Sequence, residues 1–318
     1  MSEKEFIDYN KQLEILGSKH IGLDNRKLAK KALIDHGMYN IVNAYKDPFL
    51  RTRDPEEYLP GIQFSEIYTL HNADLLLQSS FTYPMTIIES KLKAALAFEI
   101  SKKYGKDHNN YLTLDTFYTG ETTALIRAQK LIAFLTRKIA DQTATKYSNP
   151  VKHYNEKYHF VPMWVLTTTL TFGNISEMYS CLKHSEQVAI SRRFNFTPKE
   201  LESVIKFINI IRNKCAHHNR LYCHKNDTKS SFPIPVLSIH KELDLPKKGN
   251  RYTVGITDML ACLIVFRHFL SRQDFRRVLW ITLIFSRYIR AFINPLSAQR
   301  IMEVTGLDIK YLNKLKKL

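Results

Sequence analysis

Apolar residues in this chain return every three to four positions rather than every second one, and that spacing does most to limit what it can fold into. Leu201, Val204, Ile205, Ile208, Ile211 and Cys215 continue one apolar face, as do Ile87, Ile88, Leu92, Ala95, Leu96 and Ile100. Each set is the stripe of an amphipathic helix, not of a half-buried strand. Only 10 Gly and 11 Pro interrupt 318 residues, too few for a turn-rich β protein. With 44% hydrophobic residues the chain can bury a sizeable core. The expected class is all-α: a helical bundle with an N-terminal helical segment and a C-terminal helical extension.

Local signals place the elements. Thr197-Pro198-Lys199-Glu200 combines a capping threonine, proline at the first helical position and a glutamate three residues after the cap. The helix it opens is expected to run to about Asn219. The stripe from Ile87 stops near Tyr104-Gly105, a further helix covers Thr122 to Thr143, and Ser148-Asn149-Pro150 is a break. Residues 54–61, Asp54 to Gly61, read as a connection, and 225–250, with Ser230-Ser231-Phe232-Pro233-Ile234-Pro235 and Pro246-Lys247-Lys248-Gly249-Asn250, as an extended loop. The expected organisation is a helical segment at 1–55, a core at 56–225, the loop at 226–250 and a basic helical extension at 251–318.

Charge narrows the partners. Lys and Arg number 47 against 30 Asp and Glu, a net charge of +17, which attracts polyanions, nucleic acid above all. The plainer reading is a soluble protein of a basic proteome. The excess is densest toward the C-terminus, where Arg276 and Arg277 are adjacent, and an N-terminal patch holds Arg26, Lys27, Lys30 and Lys31. His153, Tyr154 and Lys157 open a stretch to Trp164 that is dense in aromatics and bases. Such residues stack on unpaired bases, or form an irregular connection capped by core aromatics. Met1-Ser2-Glu3-Lys4-Glu5 lacks the apolar run of a secretion signal, and Met259 to Phe266 and Val278 to Phe285 are too short to span a bilayer. A cytoplasmic protein without membrane partners is expected, its cysteines (Cys181, Cys215, Cys223, Cys262) reduced.

The segment Arg212-Asn213-Lys214-Cys215-Ala216-His217 carries the chemistry. At about 100° per helical residue, Asn213, His217 and Arg220 are spaced i, i+4 and i+7 and share one polar face opposite the core stripe. Arg212 would sit about 100° round toward the apolar stripe, where a guanidinium needs an anion. Histidine moves protons near neutral pH, and arginine offers permanently charged donors to phosphate oxygens. These types suit cleavage of RNA by its own 2'-hydroxyl, which needs proton transfer and charge stabilisation and no metal or other cofactor. The spacing R-x-x-x-x-H alone is weak, and a helix end rich in cations explains it equally. Cys215, His217, His218, Cys223 and His224 crowd together as a zinc alternative, without a C-x-x-C pair and with Cys215 on the core face. Glu89 and Lys93 stand one turn apart, the spacing of an ordinary ion pair.

Arg212 to Leu221, reading RNKCAHHNRL, resembles the signature of the Abi-like abortive infection family of AbiD/AbiF type, in the HEPN superfamily of helical ribonucleases. Leu16 to Leu23, Tyr45 to Phe49, Ile88-Glu89 with Lys93, His153-Tyr154 with Lys157-Tyr158, Pro162 to Trp164 and Phe172 to Ser176 resemble further parts of the family in order. Where an acid and an arginine are expected before Glu89, this chain reads His71-Asn72-Ala73-Asp74-Leu75, with no arginine. The resemblance implies a HEPN-like bundle that pairs as a homodimer, so that Arg212 and His217 of both copies line one cleft. It implies Arg212, Asn213 and His217 as the catalytic set, with Glu89, His218 and Arg220 in support. It further implies phage defence through RNA cleavage, toxin-like, under a structured non-coding RNA. A HEPN module that binds RNA without cutting it is the alternative. The choice between adjacent His217 and His218 rests on the motif.

Overall fold

A computed structural model describes residues 6–224 and 232–318. Ser230 and Ser231 of the expected loop, and the first five residues, lie outside the described residues. The chain is built from helices: α1 (Tyr9–Ser18), α2 (Arg26–His36), a hairpin of β1 (Leu50–Arg53) and β2 (Glu56–Tyr58), α3 (Phe64–Tyr104), α4 (His108–Tyr111), α5 (Thr122–Ala144), α6 (Pro150–Tyr158), α7 (Met163–Leu166), α8 (Phe172–Cys181), α9 (His184–Arg192) and α10 (Pro198–Ala216). After the undescribed stretch come α11 (Ser238–Glu242), β3 (Lys247–Lys248) paired with β4 (Arg251–Tyr252), α12 (Met259–Phe269), α13 (Arg272–Phe292), α14 (Pro295–Thr305) and α15 (Ile309–Lys317). The all-α class holds, and no helix among the described residues is long and apolar enough to cross a membrane.

The helices expected to end near Tyr104, to cover Thr122 to Thr143 and to open at Pro198 are α3, α5 and α10. Thr197 and Glu200 exchange the two bonds of a capping box: the Thr197 amide donates to the Glu200 carboxylate at 2.8 Å and the Glu200 amide to the Thr197 hydroxyl at 3.4 Å. Asn149 caps α6, its side chain accepting from the Lys152 amide at 3.0 Å, with Pro150 at the first helical position.

Three expectations need correction. The connection at 54–61 contains β2, which pairs antiparallel with β1 so that Leu50 opposes Tyr58, both buried. Glu56 receives Lys19 at 2.7 Å and also Lys46. A hairpin this short shows no alternation in sequence, and these tertiary partners hold it. Of the aromatic stretch from His153 to Trp164, His153 to Tyr158 is the second half of α6, because Asn149 and Pro150 start a helix there; residues 159–162 are a connection, and Met163 and Trp164 open α7. The described part of the 225–250 loop holds α11 and the first strand of a two-residue hairpin.

Contacts divide the chain into two compact units. One comprises, of the described residues, 6–84, 211–224 and 236–318; the other comprises 85–210 and 232–235. In the first, α12 is the centre: Met259 through Phe266 are all buried, so this apolar run is a core helix. Phe266 meets Phe81 edge to face at 5.1 Å. Arg300 of α14 donates to the carbonyls of Pro48 at 3.1 Å and Leu50 at 2.6 Å, and Glu66 of α3 accepts from Asn294 ahead of α14. The C-terminal helices and the N-terminal segment therefore share a core. In the second unit α5 packs on α6 and α8. Buried Glu186 of α9 accepts from Tyr104 at 2.6 Å and from Lys103. Although burial opposes ionisation, the bonds from Lys103, Ser185 and Tyr104 hold its carboxyl down at about 2.

Candidate functional site

The helix that carries the motif stops three residues short of the expected Asn219. At Ala216 the backbone turns: His218 takes a left-handed conformation with φ of 52°. The Asn219 amide then returns to the Lys214 carbonyl at 2.9 Å and the His218 amide to that of Cys215 at 3.4 Å. This is a Schellman termination with histidine in the seat that glycine usually takes. Arg220 consequently leaves the helix, and the shared face expected for Asn213, His217 and Arg220 does not form. Its guanidinium donates instead to the Ala44 carbonyl at 2.8 Å.

A buried carboxylate holds the segment after the turn. Asp74 of α3 is 0% exposed and accepts from the amides of Leu221 at 3.0 Å and Tyr222 at 2.8 Å, from the Tyr45 hydroxyl at 2.9 Å and from Gln78 at 3.1 Å. Burial pushes its pKa up while these bonds pull it down, and burial prevails. Burial and the Asp74 charge push the Tyr45 hydroxyl far up, so it remains a donor. Tyr45 also stacks on Tyr222 with ring centroids 5.5 Å apart.

What results is a cleft of about 640 Å³ within the first unit. His217, His218, Asn219 and Arg220 form one wall. Facing residues include His36 at the end of α2, Tyr39, Asn40 and Asn43 from the π-helical turn Tyr39–Asn43, and His71 of α3. His36 and His71 approach with ring centroids 4.9 Å apart. Burial, reinforced by His36 and opposed by a bond with Asn72, pushes the His71 pKa down, so its ring is neutral near pH 7. His217 and His218 are exposed to solvent. The cleft thus gathers the imidazoles of His36, His71, His217 and His218 with the Arg220 guanidinium, and Asp35 also lines it.

The other expected residues fall as follows. Asn213 is exposed and Arg212 half-buried; neither lines the cleft. The Arg212 guanidinium reaches the Asn213 side chain at 3.5 Å and has no carboxylate partner among the described residues. Glu89, in the second unit, pairs with Lys93 at 2.7 Å. Arg26, Lys27, Lys30 and Lys31 are exposed along α2, Lys30 donating to Asn10 at 3.0 Å. In the second unit His153 and Lys157 are exposed and Tyr154 half-buried, in a ring cluster with Tyr158 and Phe160. Arg276 and Arg277 are exposed on α13. All four cysteines are unpaired, and burial pushes the Cys215 thiol up to about 12. Among the described residues no three His, Cys, Asp or Glu side chains are placed to hold a metal.

His36, Tyr39 and Asn43 carry no sequence signal, being far from the motif and joined to it only by folding. Asp74 had one, an acid on an apolar stretch of α3, which needed a partner.

A family model described as Abi-like protein matches residues 31–223. The match contains the cleft and the motif, and leaves out α1, the Leu16 to Leu23 stretch and everything from α11 onward. No curated protein and no solved structure matches this chain.

Proposed function

The chain belongs to the Abi-like protein family, and from that membership we propose that it is a metal-independent endoribonuclease of an abortive-infection system. One observation supports this above others. An exposed His217 stands in a cleft with further imidazoles and the anchored Arg220, while the Arg212 guanidinium, outside that cleft and five residues earlier in the motif, has no carboxylate partner among the described residues.

In this reading His217 takes the proton of a ribose 2'-hydroxyl as its oxygen attacks the adjacent phosphorus. The bond from phosphorus to the 5'-oxygen breaks, and that oxygen receives a proton from an imidazolium. The products are a 2',3'-cyclic phosphate and a 5'-hydroxyl. Arg212 stabilises the charge gathering on the phosphoryl oxygens, Asn213 orients Arg212, and DNA is left uncut because it lacks the nucleophile. We further propose a HEPN-type homodimer that brings two copies of Arg212 and His217 to one substrate, in the cytoplasm, silenced by a structured RNA.

The test is incubation with mixed RNA in chelator, with analysis of the ends. The expected outcome is cyclic phosphate and 5'-hydroxyl termini. His217→Ala and Arg212→Ala should each lower the rate about 100-fold or more while RNA binding persists. A need for a divalent ion, or cleavage that survives both substitutions, overturns the mechanism. Binding without any cleavage by the wild type assigns the chain to RNA binding alone.

A further inference from the structure

Outside the family match, α13 presents a face that no part of the cleft uses. Trp280 is 65% exposed, an unusual position for the largest side chain. It lines a shallow cavity of about 720 Å³ with Arg272, Gln273, Arg276 and Arg277, and no acid lines it. Asp274, the acid of this turn, accepts from Ser271 at 2.6 Å and Tyr83 at 3.0 Å, and approaches Arg277 at 3.7 Å. Arg272 and Arg276 have no ion-pair partner among the described residues, and neither has Arg287 further along. On a regular helix Arg276, Trp280 and Arg287 lie within about 40° of one another and span about 16 Å. Tyr288 and Phe292, exposed on the same helix with ring centroids 4.7 Å apart, lie about 80° and about 120° round from Trp280 and outside this line.

We propose that this face of α13 is a stacking platform for single-stranded nucleic acid, with an unpaired base lying on Trp280 and the flanking phosphates held by Arg276 and Arg287. Every base has a π-face, and cations spaced along one line beside an indole fit a single strand. A duplex keeps its bases stacked inside and cannot use the indole. Three unpaired guanidinium groups on a chain of net charge +17 favour a polyanion over a second copy, which would bring the same cations to the same face. The choice of RNA rather than DNA rests on the function proposed above; the platform does not.

The chain has 2 Trp, so Trp164→Phe leaves Trp280 as the sole indole. In a Trp164→Phe, His217→Ala protein at low salt, titration with a short 2'-O-methyl oligouridine, which cannot be cleaved, should quench the Trp280 emission. A duplex of equal length should not. Trp280→Ala, read by anisotropy of a labelled oligomer, should weaken binding about tenfold, and Arg276→Glu with Arg287→Glu at least as much. Oligomer bound without quenching, no binding at all, or an affinity unchanged in Trp280→Ala overturns the platform. So does a sedimentation experiment in which Trp280→Ala splits a dimer, since the face is then covered by a second copy. Quenching with no cleavage by the wild type leaves the platform standing and removes the ribonuclease.

Discussion

His218 and His217 are neighbours in different backbone settings. His218 occupies a left-handed backbone position that costs an L-residue about 1 kcal/mol relative to glycine. His218→Gly should therefore leave the turn in place and raise stability by about 0.5 to 1 kcal/mol in urea unfolding, while cleavage persists. Destabilisation, or loss of cleavage equal to that of His217→Ala, would make the His218 side chain part of the chemistry. The adjacency that sequence alone leaves ambiguous is resolved for the backbone by the turn. One side chain sits where the helix ends, and the other where the reversal is made.

At the scale of elements, the wall of the cleft is positioned by α3 through one carboxylate. Asp74 accepts four donors, two of them main-chain amides of Leu221 and Tyr222. Removing it strands those donors in a buried place. Asp74→Ala should cost about 3 kcal/mol or more of folding stability and free the segment after the motif. Asp74→Asn keeps the shape and one acceptor oxygen and should cost less. Chemical denaturation of both variants, with hydrogen exchange at Leu221 and Tyr222, checks the order; equal stability of Asp74→Ala and wild type would mean the anchor is dispensable. In sequence Asp74 stands where an acid is expected, but its service to the motif 147 positions away is visible only in the fold. The capping box of α10 was legible because all of its atoms lie within four residues. The hairpin of β1 and β2 was not, because its support comes from Lys19, Lys46 and Arg300.

At the scale of the whole molecule, Glu186 is one of several shifted groups, with Glu56, Glu202 and Asp74, through which pH acts on stability. Its folded pKa of about 2 lies below the ordinary value of 4.5, so its contribution is fully present above pH 4.5 and is lost as pH falls toward 2. Glu186→Gln should lower stability by about 2 kcal/mol near neutral pH, and the gap from wild type should close on acidification through that window. A gap that stays constant with pH would show that charge at this position is not the cause. Sequence alone determined the helical class, the starts at Thr122 and Pro198 and the basic character, because these depend on residues a few positions apart or on simple sums. It also displayed the motif of Arg212, Asn213 and His217. Tertiary structure decided that the C-terminal helices share a core with the N-terminal segment, that the motif helix ends at Ala216, and that His36 and His71 face His217. Those facts depend on which apolar faces bury one another, a choice made between residues hundreds of positions apart, and no local pattern encodes it.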